Sequence, residues 1–278
     1  MSYVALITGA SSGIGEATAR RLAREGDVRL VLVARREEKL RALAAELGGA
    51  TVVAVDLTAA QAPAQVRETL EREHAGQLHL LVNNAGTAWR GRFEDVGWAD
   101  LERHMRINFE APARLTEALL PLLRASAALA PGAGEEPSRR VAIVNVASTA
   151  ARVSRPNSGA YSASKFALAG WSDALYAEQL RHGVHVGLVL PGFVRTEGFP
   201  AAELLARPHT RWLVSEPERV AEAILEAGPG GKAERYVPRR YWLAAALRLL
   251  APALVRRATA GGAFTTTTKA SEASRADN

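Results

Sequence analysis

Short runs rich in Val, Leu, Ile and Ala recur along the chain and alternate with longer stretches in which apolar residues return every three or four positions. The short runs predict strands at 3–7, 29–34, 51–55, 78–82, 141–146 and 184–190, with a brief seventh at 235–237. The longer stretches predict helices at 16–25, 37–47, 63–74, 98–124, 158–181 and 217–227, with Pro63 and Pro217 in first-turn positions where a missing N–H costs nothing. Strands that are apolar throughout, rather than at every second residue, belong to a sheet covered on both faces. Strands alternating with helices predict βαβ units, hence one α/β domain with a doubly wound parallel sheet of about seven strands and helices on both faces. Residues 125–139, with Pro131-Gly132-Ala133-Gly134 and Pro137, read as a surface loop. Residues 265–278 are polar and read as a disordered tail, behind an apolar helical extension at 239–264 and a catalytic domain at 1–238.

Composition narrows the chemistry. With 278 residues, 48% of them hydrophobic, the chain can bury the core of one large domain. There is no cysteine, which excludes a disulfide framework, a thiolate nucleophile and thiolate-ligated metal. The six histidines are scattered without a His-x-x-x-His pair, so no metal is expected. The net charge of +6 comes from arginines interleaved with acids, as in Arg35-Arg36-Glu37-Glu38-Lys39, a solvated helix face rather than a nucleic-acid footprint. A strand that begins almost at the first residue leaves no room for a leader, and a cytoplasmic location is expected.

The first candidate site is Thr8-Gly9-Ala10-Ser11-Ser12-Gly13-Ile14-Gly15, between the first strand and the first helix. Glycines there allow positive φ and close approach of backbone N–H groups to an anion, and the helix N-terminus adds partial positive charge. The Gly-x-x-x-Gly-x-Gly spacing differs from the commoner Gly-x-Gly-x-x-Gly dinucleotide fingerprint. The second strand ends Val33-Ala34-Arg35-Arg36, with no carboxylate to accept from a ribose 2′-hydroxyl. That pattern points to NADP(H), with Arg35 as the main 2′-phosphate contact and Arg36 and Ser12 as helpers, unless both arginines are ordinary surface residues. Asp56, followed by Leu57, closes the third strand and either meets the adenine or caps the next helix. Asn83-Asn84-Ala85-Gly86 follows the fourth strand at the same carboxyl edge, as spacers or as walls of a nucleotide cleft.

The second candidate site is Tyr161-Ser162-Ala163-Ser164-Lys165, preceded by Ser148 just past the fifth strand. Tyr161 and Lys165 are four apart on a helix and share one face. A nearby ammonium favours the phenolate, so the pair can exchange a proton with a carbonyl or alcohol oxygen. Ser148 can hydrogen-bond the same oxygen, and Asn108 can hold a water linking the site to solvent.

These segments, with Pro191-Gly192-x-x-x-Thr196, stand in the order and approximate spacing of the short-chain dehydrogenases/reductases, which the chain resembles from about Tyr3 to Val237. The resemblance implies a seven-stranded Rossmann fold and hydride transfer between a nicotinamide cofactor and a carbonyl or secondary alcohol. It implies that Tyr161 is the general acid or base, that Lys165 lowers its pKa and binds the nicotinamide ribose, that Ser148 orients the substrate and that Asn108 positions a relay water. It places Gly9, Ser11, Ser12, Gly13, Ile14, Gly15, Arg35, Arg36, Asp56, Leu57, Asn84, Ala85, Gly86, Pro191 and Gly192 along the cofactor, with Val194 and Thr196 on the carboxamide. The Ala34-Arg35 pattern is similar to the NADP-preferring members. A homodimer or homotetramer is also implied, with 98–124 and 158–181 as its interface.

Gly198-Phe199-Pro200, Leu204-Leu205 and Trp212-Leu213 suggest an apolar cover, hence a hydrophobic substrate. Residues 241–252 read as an apolar helix too short to cross a membrane, since a span needs about 20 apolar residues. That helix packs on the cleft or on a partner subunit, or lies in a membrane interface with Tyr241 and Trp242 as anchors; packing is favoured. Two other functions fit the same residues: an acyl-thioester ketoreductase acting on a carrier protein, and an NADPH-binding regulator without turnover.

Overall fold

The computed structural model describes residues 3–129, 140–197, 211 and 213–260. Strands β1 (Tyr3–Thr8), β2 (Val28–Ala34), β3 (Thr51–Ala54), β4 (Leu80–Asn83), β5 (Ala142–Val146) and β6 (His185–Pro191) form one parallel sheet with a later strand, Glu234–Val237. A two-stranded ribbon, β7 (Phe193–Val194) and β8 (Val214–Ser215), intervenes, so the seventh strand of the main sheet is β9. The order across the sheet is β3-β2-β1-β4-β5-β6-β9. Ile7 of β1 aligns with Leu32 of β2 on one side and Val82 of β4 on the other. The winding therefore reverses between β1 and β4, and in such sheets ligands bind in the crevice beyond the strands' carboxyl ends at that reversal.

Successive strand residues enter different cores. Ile7, Leu32, Val82 and Val144 pack with Leu22, Leu40 and Ile224, beneath helices α1 (Gly13–Ala23) and α2 (Glu37–Glu46) and a later helix, Pro217–Ala227. Leu6, Val33, Leu81 and Ile143 pack on the opposite face with Leu70 of α3 (Ala62–His74) and with Leu115, Leu119 and Leu123. This double burial is why the strands carry no polar alternation.

The expected helix at 98–124 is three elements: α4 (Phe93–Met105), a π-helical turn (Arg106–Glu110) and α5 (Ala111–Ala128). Gly97 within α4 has φ 59°, outside the helical region, and this break concealed the earlier start. Helix α1 likewise begins at Gly13, not Glu16, because the loop glycines already form its first turn. Helix α6 (Gly159–Leu180) and α7 (Pro217–Ala227) fall where expected. The extension is a 3₁₀ turn (Arg239–Tyr241), α8 (Trp242–Leu250) and α9 (Pro252–Ala260), so the single helix expected over 241–252 stops at Leu250. Ala251, with φ −135° and ψ 62°, breaks the run ahead of Pro252. The expected tail at 265–278 and most of the expected loop, 130–139, lie outside the described residues.

Candidate active site

The glycine loop is built by crowding as much as by conformation. Gly9 (φ 68°) and Gly13 (φ 57°) are left-handed, and a Cβ at Gly15 would stand 2.7 Å from the Gly9 carbonyl carbon and 2.8 Å from Asn84 Nδ2. Thr8 clamps this loop to β4: its hydroxyl donates to the Val82 carbonyl at 3.1 Å and accepts from the N–H groups of Asn84 (2.9 Å) and Ala85 (3.0 Å). The Asn84 amide donates to the Thr8 carbonyl at 2.9 Å, so Asn84 is a strut across the crevice. Asn83 turns inward, donating to Thr116 (3.0 Å) and Asn145 (2.8 Å). Ser12, at the N-cap of α1, makes no side-chain capping bond, which leaves the first-turn N–H groups beside the crevice for an anion. The cradle therefore fits the pyrophosphate of a dinucleotide.

At the adenosine end, Arg36, expected as a helper, is the residue that reaches the loop. Its guanidinium donates to Ser12 Oγ (2.7 Å) and Ser11 Oγ (3.1 Å), and to the Glu197 carboxylate (3.0 Å), which Lys39 also meets at 2.8 Å. Arg35 is exposed, and its charge acts on Asp56. Burial raises the Asp56 carboxyl, but two hydrogen bonds from Thr58 and the charge of Arg35 outweigh it and hold the group below its usual range. Asp56 Oδ1 accepts from the Thr58 N–H (2.9 Å) and hydroxyl (2.8 Å), so it closes a turn rather than capping α3, whose N-cap is Gln61. Leu57 is buried in the core. The Lys39–Glu197 pair was not read from the sequence, because its two members stand 158 positions apart.

The second constellation gathers at the ends of β4 and β5. Ser148 starts a 3₁₀ turn (Thr149–Ala151); its Oγ accepts from the Ala150 N–H at 3.1 Å and donates to the Pro191 carbonyl at 3.3 Å. Burial pushes the Tyr161 phenol up, against hydrogen bonding with Ser148 and the charges of Arg155 and Arg90, which pull it down. Lys165, 5% exposed, donates to the Val146 carbonyl at 2.8 Å, and desolvation lowers it to about 8. The charges that act on the Tyr161 phenol in this arrangement are those of Arg155 and Arg90. Neither arginine was found in the sequence, since both stand in irregular loops without period or motif.

Asn108 sits in the π-helical turn, 1% exposed. Its amide donates to the Thr87 carbonyl and to Ser164 Oγ, each at 3.0 Å, and its Oδ1 accepts from the Thr87 N–H at 2.9 Å. Both amide protons are therefore spent on protein groups, and the side chain braces α6 against the loop after β4. A Cβ at Gly86 would lie 2.7 Å from Asn108 Oδ1 and 3.5 Å from Lys165 Nζ, so only glycine passes between these two side chains.

The far wall is Pro191 to Thr196. Gly192 lies flat against the Tyr241 ring, where a Cβ would meet ring carbons at 2.7 and 2.9 Å. Tyr241 donates to the Leu213 carbonyl at 3.0 Å, a contact with the far wall of its own chain. Val194 is buried in the ribbon, and the Thr196 methyl covers Gly13, so both line the crevice mouth. Of the expected apolar cover only Leu213 is described, and it is buried; residues 198–210 and 212 lie outside the described residues. Among the described residues no group of three or more acidic or histidine side chains is arranged for a metal. No helix among them is long and apolar enough to cross a membrane.

A doubly wound sheet with a glycine-lined anion cradle and a Ser–Tyr–Lys cluster at one carboxyl edge defines a nucleotide-dependent oxidoreductase. The chain belongs to the short-chain dehydrogenase family, whose model matches residues 3–203. It is 35% identical over 229 residues to the oxidoreductase UcpA of Salmonella typhimurium, covering 81% of this chain and 80% of the relative. It is 36% identical over 225 residues to a putative ketoacyl reductase of Streptomyces coelicolor, covering 78% and 79%. Among solved structures, a short-chain dehydrogenase from Streptomyces avermitilis superposes with a TM-score of 0.74 at 28% identity, covering 96% of this chain and all of that one.

Proposed function

We propose that the chain is an NADPH-dependent reductase of carbonyl compounds, or in reverse a dehydrogenase of secondary alcohols. The observation that carries this reading is the Ser148–Tyr161 pair beside a buried Lys165, at the same sheet edge as the glycine loop. A bound nicotinamide supplies a hydride to the carbonyl carbon. The chain's own residues manage the oxygen: Ser148 orients it, and the Tyr161 O–H breaks as the oxygen takes the proton. Lys165 would hold the nicotinamide ribose, and the charges of Arg155 and Arg90 favour the phenolate left on Tyr161.

NADPH is preferred over NADH in this reading because Arg36, held by Ser11 and Ser12, and Lys39 converge on one anion position, occupied here by the Glu197 carboxylate, that a 2′-phosphate can take. The aromatic surroundings of Tyr161, with His104 edge-on at 6.2 Å and Phe193 beneath Arg155, suit a hydrophobic substrate. Initial rates over a panel of free ketones, aldehydes and alcohols with both cofactors test the proposal. Turnover faster with NADPH, and lost in Tyr161→Phe, supports it; stoichiometric NADPH binding without turnover on any compound refutes it. A second reading, reduction of carrier-bound β-keto thioesters, is favoured by the name of the Streptomyces coelicolor relative. It holds if a carrier-bound thioester is reduced well ahead of every free ketone.

A further inference from the structure

Beside the reaction centre, the loop after Ser148 and the extension helices enclose a cleft of about 340 Å³, within the size range of small-molecule sites. Val153, Phe166 and Val255 give it apolar walls, and three arginines, Arg155, Arg248 and Arg256, also line it. No acidic side chain among the described residues pairs with any of the three. Elsewhere arginines in this protein meet carboxylates, as in Arg20–Glu16, Arg41–Glu37 and Arg152–Glu234. The imbalance is local and written in the sequence: from 239 to 260 the chain has Arg239, Arg240, Arg248, Arg256 and Arg257 and no Asp or Glu. Arg155 is half-buried, its guanidinium 4.5 Å above the Phe193 ring, and burial and the charge of Arg90 lower its pKa. Like charges gathered round an apolar cleft are unfavourable until an anion joins them, and guanidinium groups are suited to carboxylate and phosphate oxygens.

We infer that this cleft binds an anionic amphiphile, its carboxylate or phosphate head on Arg155, Arg248 and Arg256 and its alkyl or acyl chain against Val153, Phe166 and Val255. The site goes beyond the reductase reading and does not depend on it. Isothermal titration of the full chain with decyl phosphate and with decanoate, both below their micellar range, tests it against decyl maltoside and inorganic phosphate. Saturable one-to-one binding of either anionic amphiphile is expected, at least about ten-fold tighter than either control. Preference between the two identifies the head as phosphate or carboxylate, and either preference supports the site. Arg248→Glu with Arg256→Glu is expected to weaken binding at least about ten-fold while leaving the circular-dichroism melt unchanged. If that variant does not fold, Arg248→Gln with Arg256→Gln gives the same reading through loss of charge. Equal binding of decyl maltoside or of inorganic phosphate, full affinity in the folded variants, or no saturable binding overturns the inference.

Discussion

Lys165 keeps its amine almost wholly out of water with a single backbone carbonyl, that of Val146, 2.8 Å away, and burial lowers its pKa from 10.5 to about 8. A base whose folded pKa lies below its unfolded one opposes folding: the penalty is full below about pH 8 and fades as pH rises towards 10.5, where the unfolded chain also gives up the proton. Lys165→Met is therefore expected to stabilise the protein at pH 7, by about 1–2 kcal/mol once the lost Val146 bond is subtracted. Denaturant titrations at pH 7 and pH 10 check this, the gain shrinking at the higher pH, while catalysis is lost at both. Tyr161→Phe is expected to lower kcat by about 10²–10⁴-fold, the usual size of a general-acid contribution, with NADPH affinity measured by fluorescence titration left within about two-fold. Both residues were legible in the sequence because a spacing of four on a helix determines a shared face. Arg155 and Arg90 were not, because a charge acting across loops leaves no pattern in the chain.

At the scale of elements, the glycine loop and the π-helical turn differ in how far they could be read. The loop is legible because its glycines answer local demands, positive φ at Gly9 and Gly13 and a close backbone approach at Gly15. Gly15→Ala is expected to destabilise the protein by about 1–3 kcal/mol, the range of overpacking costs, and to abolish NADPH binding. A urea melt and a nucleotide titration on the same variant read the two effects. Asn108 was legible as a candidate, but its work was not. Only packing of α4 against α6 shows that its amide spans Thr87 and Ser164. Asn108→Ala is expected to cost about 1–3 kcal/mol, through the half-buried Thr87 N–H and carbonyl it leaves unpaired, and to lower kcat together with stability.

Among the described residues, exposed large apolar side chains cluster in two places, apart from Leu129, Phe166 and Leu180. On α4, Phe93 and Trp98 are 71% and 68% exposed; on the extension, Trp242, Leu243, Leu249, Leu250 and Leu254 are exposed, and Ala245 is the one buried residue described on α8. The leucines of the extension thus do not pack on the cleft of their own chain; Tyr241 makes that contact instead. Exposed aromatic side chains on the helices expected at an interface favour self-association. Light scattering is expected to give a mass above the 29.6 kDa of one chain, and Trp98→Asp to shift it towards that value with the melting temperature little changed.

The amino-acid sequence by itself determined the order of strands and helices, the double-faced burial of the sheet and the positions of Ser148, Tyr161 and Lys165, since each follows from periodicity or from fixed spacing within one element. Tertiary structure alone decided that Arg36 rather than Arg35 meets the serines of the glycine loop, that the charge of Arg155 reaches the Tyr161 phenol and that Asn108 serves as a brace. The physical reason is the same in each case. These roles depend on distances between segments remote in the chain, and such distances exist only once the sheet has brought their ends to one edge.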